Sequence, residues 1–243
     1  MDNILPSNMF SVPLSLRLSG SALKIIALLS MLADHCAYFL MEPNTPLYNM
    51  LRCYGRIAFP VFAFLIAEDF AHTRSRNRYF LSLLCCALIS EIPWYLLNSA
   101  DGTHNVMFTL SIGVATLAVF DRLCEHRPLY CFSILIMCTL AWWVGVDYDW
   151  RGVLMIMLFY ILRHQTIEPW LSRHNVCFPS QALIQILFTF LLMIHYGIAG
   201  AILASIVIFL YDGTRGQIKG AVAKYSFYAF YPLPLFLLYL GKL

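Results

Sequence analysis

Apolar runs of helical length, separated by short polar segments, dominate the chain. They cover roughly residues 22–41, 54–71, 79–97, 105–120, 129–145, 151–163, 181–195, 197–211 and 225–241. About 20 such residues cross the hydrocarbon core of a bilayer as a helix. The pattern predicts an all-α polytopic membrane protein with about nine transmembrane helices, some of them kinked or short. The sixth run is short for a span and reads as tilted, buried or half-spanning. Pro6 and Pro13 make the first 21 residues a loop or an interfacial segment. That segment lacks a basic stretch followed by an apolar one, so no cleavable signal peptide is expected. Residues 22–243 then form a single transmembrane domain.

Composition narrows the class. Of 243 residues, 60% are hydrophobic and 12% charged, against about 25% charged in soluble domains. A net charge of +3, with no basic run interleaved with aromatics, argues against nucleic acid. The eight cysteines form no C-x-x-C, and most lie in apolar runs, where they act as small hydrophobes. Neither a disulfide scaffold nor a metal site is expected. Lys and Arg in the connecting segments set the orientation. With the N-terminus in the cytoplasm, inside segments carry Arg17, Arg74, Arg76, Arg78, Arg122, Arg127, Arg163, Arg173, Arg215 and Lys219. Outside segments carry only Arg52, Arg56, Arg151 and Lys242. A cytoplasmic N-terminus follows.

Polar residues inside the runs are the candidates for chemistry. The first run holds Lys24, Asp34 and His35, and ionisable groups at membrane depth belong to pathways, pairs or reactions. An ion pair with an arginine of another helix is the plain alternative. Residues 24, 28, 31 and 35 share one helical face, and Lys24 and His35 stand about 16 Å apart along it at 1.5 Å per residue. Asp34 and His35 point about 100° apart, which argues against direct orientation of one by the other. In the same outer layer fall Arg56, Glu91, Asn105, Asp147, Tyr148, Asp149, His195 and Tyr196. An interfacial layer explains Asp147, Asp149 and His195 well, but not Asp34, His35 and Glu91, which lie deeper. Pro93 predicts a kink in the third run, and Pro60 predicts the same in the second. Asn105, Thr109, Gly113 and Thr116 form a small-polar stripe that reads as a packing face. Tyr148…Gly152 and Tyr196…Gly200 open two apolar runs alike and hint at a repeat. At the inner face, His72–Arg78 is a basic loop near the level of Lys24. It is explained by topology alone, or with Lys24 as a cradle for phosphates. No P-loop or G-x-G-x-x-G is present, which disfavours a nucleotide-driven pump.

Five stretches together resemble the TraX family of bacterial inner-membrane proteins. They are Lys24-Ile25-Ile26-Ala27 with Met31 and Asp34-His35; Gly55-Arg56-Ile57-Ala58-Phe59-Pro60-Val61-Phe62-Ala63-Phe64; Asn77-Arg78-Tyr79 with Ser90-Glu91-Ile92-Pro93-Trp94; Asn105-Val106-Met107-Phe108-Thr109-Leu110 with Gly113; and Lys224-Tyr225-Ser226-Phe227-Tyr228-Ala229-Phe230-Tyr231-Pro232. The resemblance implies acetylation of an amine, in the family that of conjugative pilin, and an inner-membrane location. It also extends, more distantly, to membrane acyltransferases with an embedded histidine. Family members usually carry a histidine where this chain has Pro234, which removes any role for a C-terminal histidine here.

The expected function is a membrane acyltransferase that uses cytosolic acetyl-CoA and an amine or hydroxyl acceptor. His35 would be the general base or, as a variant, a covalent nucleophile. Asp34 or Glu91 would orient or balance it, and Arg56 and Asn105 would donate to the oxyanion. Lys24, Arg74, Arg76 and Arg78 would hold the phosphates of acetyl-CoA. Two other classes fit the same residues. A small-solute or proton-coupled transporter would use broken helices and embedded charges. A non-catalytic pilus-assembly factor would need no base at all.

Overall fold

The computed structural model describes residues 16–98, 102–123, 125–164, 181–218 and 220–242. The proline-containing segment before residue 16, and Arg173 and Lys219 of the charge pattern, lie outside the described residues. Among the described residues all regular structure is helical apart from two isolated bridges, Leu18 with Tyr211 and His104 with Val146. Four helical stretches among the described residues are long and apolar enough to cross a membrane: Gly20–Leu40, Pro46–His72, Arg76–Asn98 and Val106–Leu123. They coincide with the first four predicted runs. Shorter apolar helices follow at Pro128–Val144, Ile184–Tyr196 and Ile198–Phe209.

The first helix, α1 (Gly20–Leu40), starts where Ser19 accepts a hydrogen bond from the Ala22 N–H, satisfying a donor the helix cannot. The chain then makes a short helix, α2 (Pro46–Gly55), capped by Thr45 with Pro46 in its first turn. The apolar pattern does not reveal α2, because its residues are mixed and its core face is little more than Gly55. Helix α3 (Ala58–His72) begins at once. Pro60 therefore sits in a first turn, where no intrahelical partner is lost, and marks a helix start rather than the expected mid-span kink. Helix α4 (Arg76–Asn98) runs without a break through Pro93. Helices α5 (Val106–Leu123) and α6 (Arg127–Val144) follow, and α6 ends on Gly145 at φ 74°, a backbone that glycine adopts without steric cost.

The sixth run becomes α7 (Asp149–His164). Its Val153, Met155, Ile156, Met157, Phe159, Tyr160 and Leu162 are buried, which accounts for an apolar run too short for a lipid-facing span. Helix α8 (Gln181–Met193) leads through a 3₁₀ turn at Ile194–Tyr196 into α9 (Ile198–Phe209). The predicted last span, 225–241, is two helices, α10 (Ala221–Ala229) and α11 (Pro232–Lys242). Pro232 restricts the residue before it and cannot continue a helix, so the break falls at Phe230–Tyr231 and turns Tyr231 inward.

At the centre α3 packs against α1, α7, α5 and α9, while α4 packs on α5 and α11. The small-polar stripe of α5 is a packing face. Thr109 and Thr116 are buried, and a side chain on Gly113 would collide with Ile156 of α7. The loop after α9 closes over the start of α1. Gly20 and Ser21 donate to the Thr214 and Arg215 carbonyls at 2.7 and 3.1 Å. Gly216, at φ 82°, leaves room for the Ser19 and Ser21 hydroxyls.

Candidate functional site

The predicted polar layer resolves into three neighbouring groups at one end of the bundle. The first is centred on Asp34. Arg52 Nη1 donates to Asp34 Oδ2 at 2.7 Å, and both side chains are about one-fifth exposed. Asp34 Oδ1 is buried and accepts no hydrogen bond. Arg56 lies within electrostatic reach of Asp34, Asp147 and Tyr148, with its guanidinium 5.9 Å from the Tyr196 ring. The Tyr148 ring stacks on Phe59 at 3.7 Å and touches Tyr196 at 4.7 Å. The tyrosines of the two matching Tyr-x-x-x-Gly openings thus meet. Their glycines let helices approach: Gly152 faces Thr109, Phe59 and Tyr148, and Gly200 faces Arg56. Tyr148 and Asp149 adopt φ 65° and 47°, a strained backbone for such residues. Burial pushes the Asp147 carboxyl up to about 7, while the nearby Arg56 charge works against that rise.

The second group surrounds His35. Its ring stacks with Phe39 at 6.1 Å and meets Trp94 and Tyr231 edge-on at 6.4 and 6.1 Å. His35 Nδ1 is buried and makes no hydrogen bond of good geometry, and the Met31 carbonyl one turn back is the backbone group that acts on the ring. Asp34, as its spacing predicts, is turned to α2 rather than to the imidazole. The third group is Glu91. Its Oε1 lies 2.6 Å from His104 Nδ1, and its Oε2 accepts from the Asn105 side chain at 2.5 Å. The Asn105 amide also donates to the Ala87 carbonyl at 2.9 Å, while its oxygen accepts from the Met107 N–H at 3.0 Å and caps α5. Glu91 and Asn105 are therefore occupied with each other and with backbone, and neither bonds to His35.

A cavity of about 360 Å³ opens at the opposite end of α1. Its rim carries Lys24, Asp69, Thr73, Ser75, Arg78 and Arg215. Lys24 Nζ donates to Asp69 Oδ2 at 2.9 Å and lies 5.9 Å from the Phe227 ring. Below the rim the walls are apolar, with Leu28 and Met31 from α1, Leu65 from α3, Leu83 from α4 and Leu110 from α5. Tyr231 also lines the cavity and touches His35. The shared face of Lys24, Leu28 and Met31 thus becomes a cavity wall leading toward His35.

The basic loop divides. Arg78 reaches the cavity, whereas Arg76 pairs with Asp121 and covers Phe70. Arg74 is exposed and does not line the cavity. Several residues escape the sequence reading. Arg52 lies four residues before Arg56, a same-face spacing that would have paired them had α2 been recognised. Phe39 lies four after His35 for the same reason. Arg215 and Tyr231 come from distant turns, and nothing in the pattern around either one points to the cavity. Glu68, buried in α3, pairs with Arg163 and lies 3.0 Å from His164 Nε2, with the Tyr211 hydroxyl donating at 3.4 Å. It ties α3 to α7 and to the loop after α9. Among the described residues no group of side chains could hold a metal ion.

The family model described as TraX protein matches residues 19–241. The chain is 29% identical over 244 residues to the probable fimbrial assembly protein FimC, serogroup H1, of Dichelobacter nodosus, an alignment covering 93% of this chain and 96% of that protein. An uncharacterized protein of Rickettsia prowazekii (strain Madrid E) is 23% identical over 59% of this chain and 55% of its own length. No solved structure matches. The family match spans every element that builds the cavity and the His35 surroundings, and this chain belongs to the TraX family.

Proposed function

We propose that this protein is an integral membrane acyltransferase of the bacterial inner membrane, with its N-terminus in the cytoplasm. It would move an acetyl group from cytosolic acetyl-CoA to an amine, such as the N-terminus of a pilin. The observation that carries this reading is the cavity, cationic at its rim through Lys24, Arg78 and Arg215 and continuous with the Tyr231 ring against His35. An anionic head with a long, nearly neutral arm matches that division of polarity. Lys24 and the two arginines bind phosphate oxygens, and the apolar walls exclude water from the thioester. The acceptor nitrogen attacks the thioester carbonyl. His35 takes the nitrogen's proton, and the carbon–sulfur bond then breaks with that proton delivered to sulfur. His35 suits the role because no other side chain is bonded to its buried Nδ1. Arg56 provides positive potential at the acceptor end, beside the Arg52–Asp34 pair.

The printed name of the Dichelobacter relative favours a second reading, a factor needed for fimbrial assembly without catalysis. One experiment separates the two. Detergent-purified protein is incubated with radiolabelled acetyl-CoA and an extract of its own host, and the labelled product is identified. Label on a peptide or small-molecule amine supports acyl transfer. Absence of any labelled acceptor rejects acyl transfer, and solute counterflow in vesicles would then point to a transporter.

A further inference from the structure

We propose that Tyr231 closes the deep end of the cavity and limits the transferred group to a two-carbon acyl chain. This rests on the acyl-CoA reading of the cavity. Tyr231 is 4% exposed and belongs to no helix, standing in the break between α10 and α11. It lines the cavity and meets the His35 ring edge-on at 6.1 Å. The aromatic surround leaves little slack, since His35 also contacts Phe39 and Trp94, and Phe39 meets Trp94 at 6.4 Å. Val106 and Met107, at the start of α5, line the cavity beside Tyr231. Helix α5 is pinned there by the Asn105 cap and its bonds to Glu91 and Ala87, so the wall cannot retreat on that side.

The rest of the cavity does not discriminate chain length. Its apolar walls run along the arm of the donor, which is the same for every acyl-CoA. Only atoms beyond the thioester reach the Tyr231 ring. Extra methylenes there must displace a buried aromatic side chain or fold back toward the rim. Removing the ring converts its volume into space for them, and each methylene buried there favours binding.

The test is binding of acetyl-, butyryl- and hexanoyl-CoA to detergent-purified protein by calorimetry. Wild type should bind acetyl-CoA at least tenfold more tightly than the two longer donors. Tyr231→Ala and the milder, packing-conserving Tyr231→Leu should bring butyryl-CoA to within threefold of acetyl-CoA. Tyr231→Phe, which keeps the ring and loses the hydroxyl, should retain the wild-type preference. Equal affinity of wild type for all three donors would overturn the proposal. So would a preference left unchanged in either Tyr231→Leu or a folded Tyr231→Ala. A wild type that binds none of the three overturns the acyl-CoA reading itself, and this proposal with it.

Discussion

At the scale of single residues, the decisive contrast is between Asp34 and His35. They are neighbours in sequence, but one is half of an ion pair and the other is packed among aromatic rings with no side-chain partner at Nδ1. His35→Ala should lower acyl transfer by about 10²–10⁴, the usual loss when a general base is removed, in protein that still inserts and purifies as a single species. Turnover near wild type in a folded His35→Ala protein would make the residue a packing element. Asp147 gives a second prediction. Its carboxyl is raised to about 7, so between the ordinary carboxylate range and pH 7 the folded state holds a proton that the unfolded state has released. The stabilisation is complete below that window and is lost as pH rises through it. Thermal stability should therefore fall from pH 5 to pH 8, and Asp147→Asn should flatten the slope. A profile as steep in the variant as in wild type would place the titrating group elsewhere.

At the scale of elements, helical spacing predicts most of what lies along one helix and little of what lies between helices. The Lys24, Leu28, Met31 face was legible because period and chemistry coincide on α1. The fates of Glu91 and Asn105 were not, because the cap of α5 and the pairing of Glu91 with His104 are made across a turn. Tyr231 was hidden by an apolar run that looked like one span until Pro232 was given its effect on the residue before it. Helix α2 was hidden for the opposite reason, having too few apolar residues to register as a run. Close approach of helices is a further property that pattern alone does not supply. A Cβ on Gly152 would stand 2.5 Å from Thr109 Cγ2 and 2.7 Å from Phe59 Cζ. Gly152→Val should thus destabilise the protein by about 1–3 kcal/mol through overpacking and unseat the Phe59–Tyr148 stack. Gly241→Ala, with open space around it, is the matched control and should fall within about 0.5 kcal/mol of wild type. Equal transition temperatures for the two variants would mean that α5 and α7 do not meet closely at Gly152.

At the scale of the whole molecule, the proposed donor site at Lys24 and the proposed base His35 are separated by about 16 Å, the eleven-residue rise between them on α1. This separation yields kinetic signatures of opposite kind. On the acyl-CoA reading, rim residues would meet parts of the donor that do not change during reaction, so their interactions would be equal in the ground and transition states. Lys24→Ala should raise the KM for acetyl-CoA with a smaller effect on kcat, the result of removing uniform binding. Arg78→Ala and Arg215→Ala should act in the same direction but more weakly, because both are exposed and screened by salt. Asp69 pairs with Lys24 at 2.9 Å at the rim and would compete with an incoming anion, so Asp69→Asn should lower the KM. Arg74→Ala should leave it unchanged, since Arg74 does not line the cavity. His35→Ala should lower kcat with donor affinity retained. A transporter gives no reason for this partition, because its solute would meet both ends in turn. The strictest form is the triple variant of Lys24, Arg78 and Arg215 to alanine, with CoA binding measured by calorimetry. Affinity equal to wild type would remove the phosphate site from the rim of this cavity, whatever reaction His35 supports at the other end.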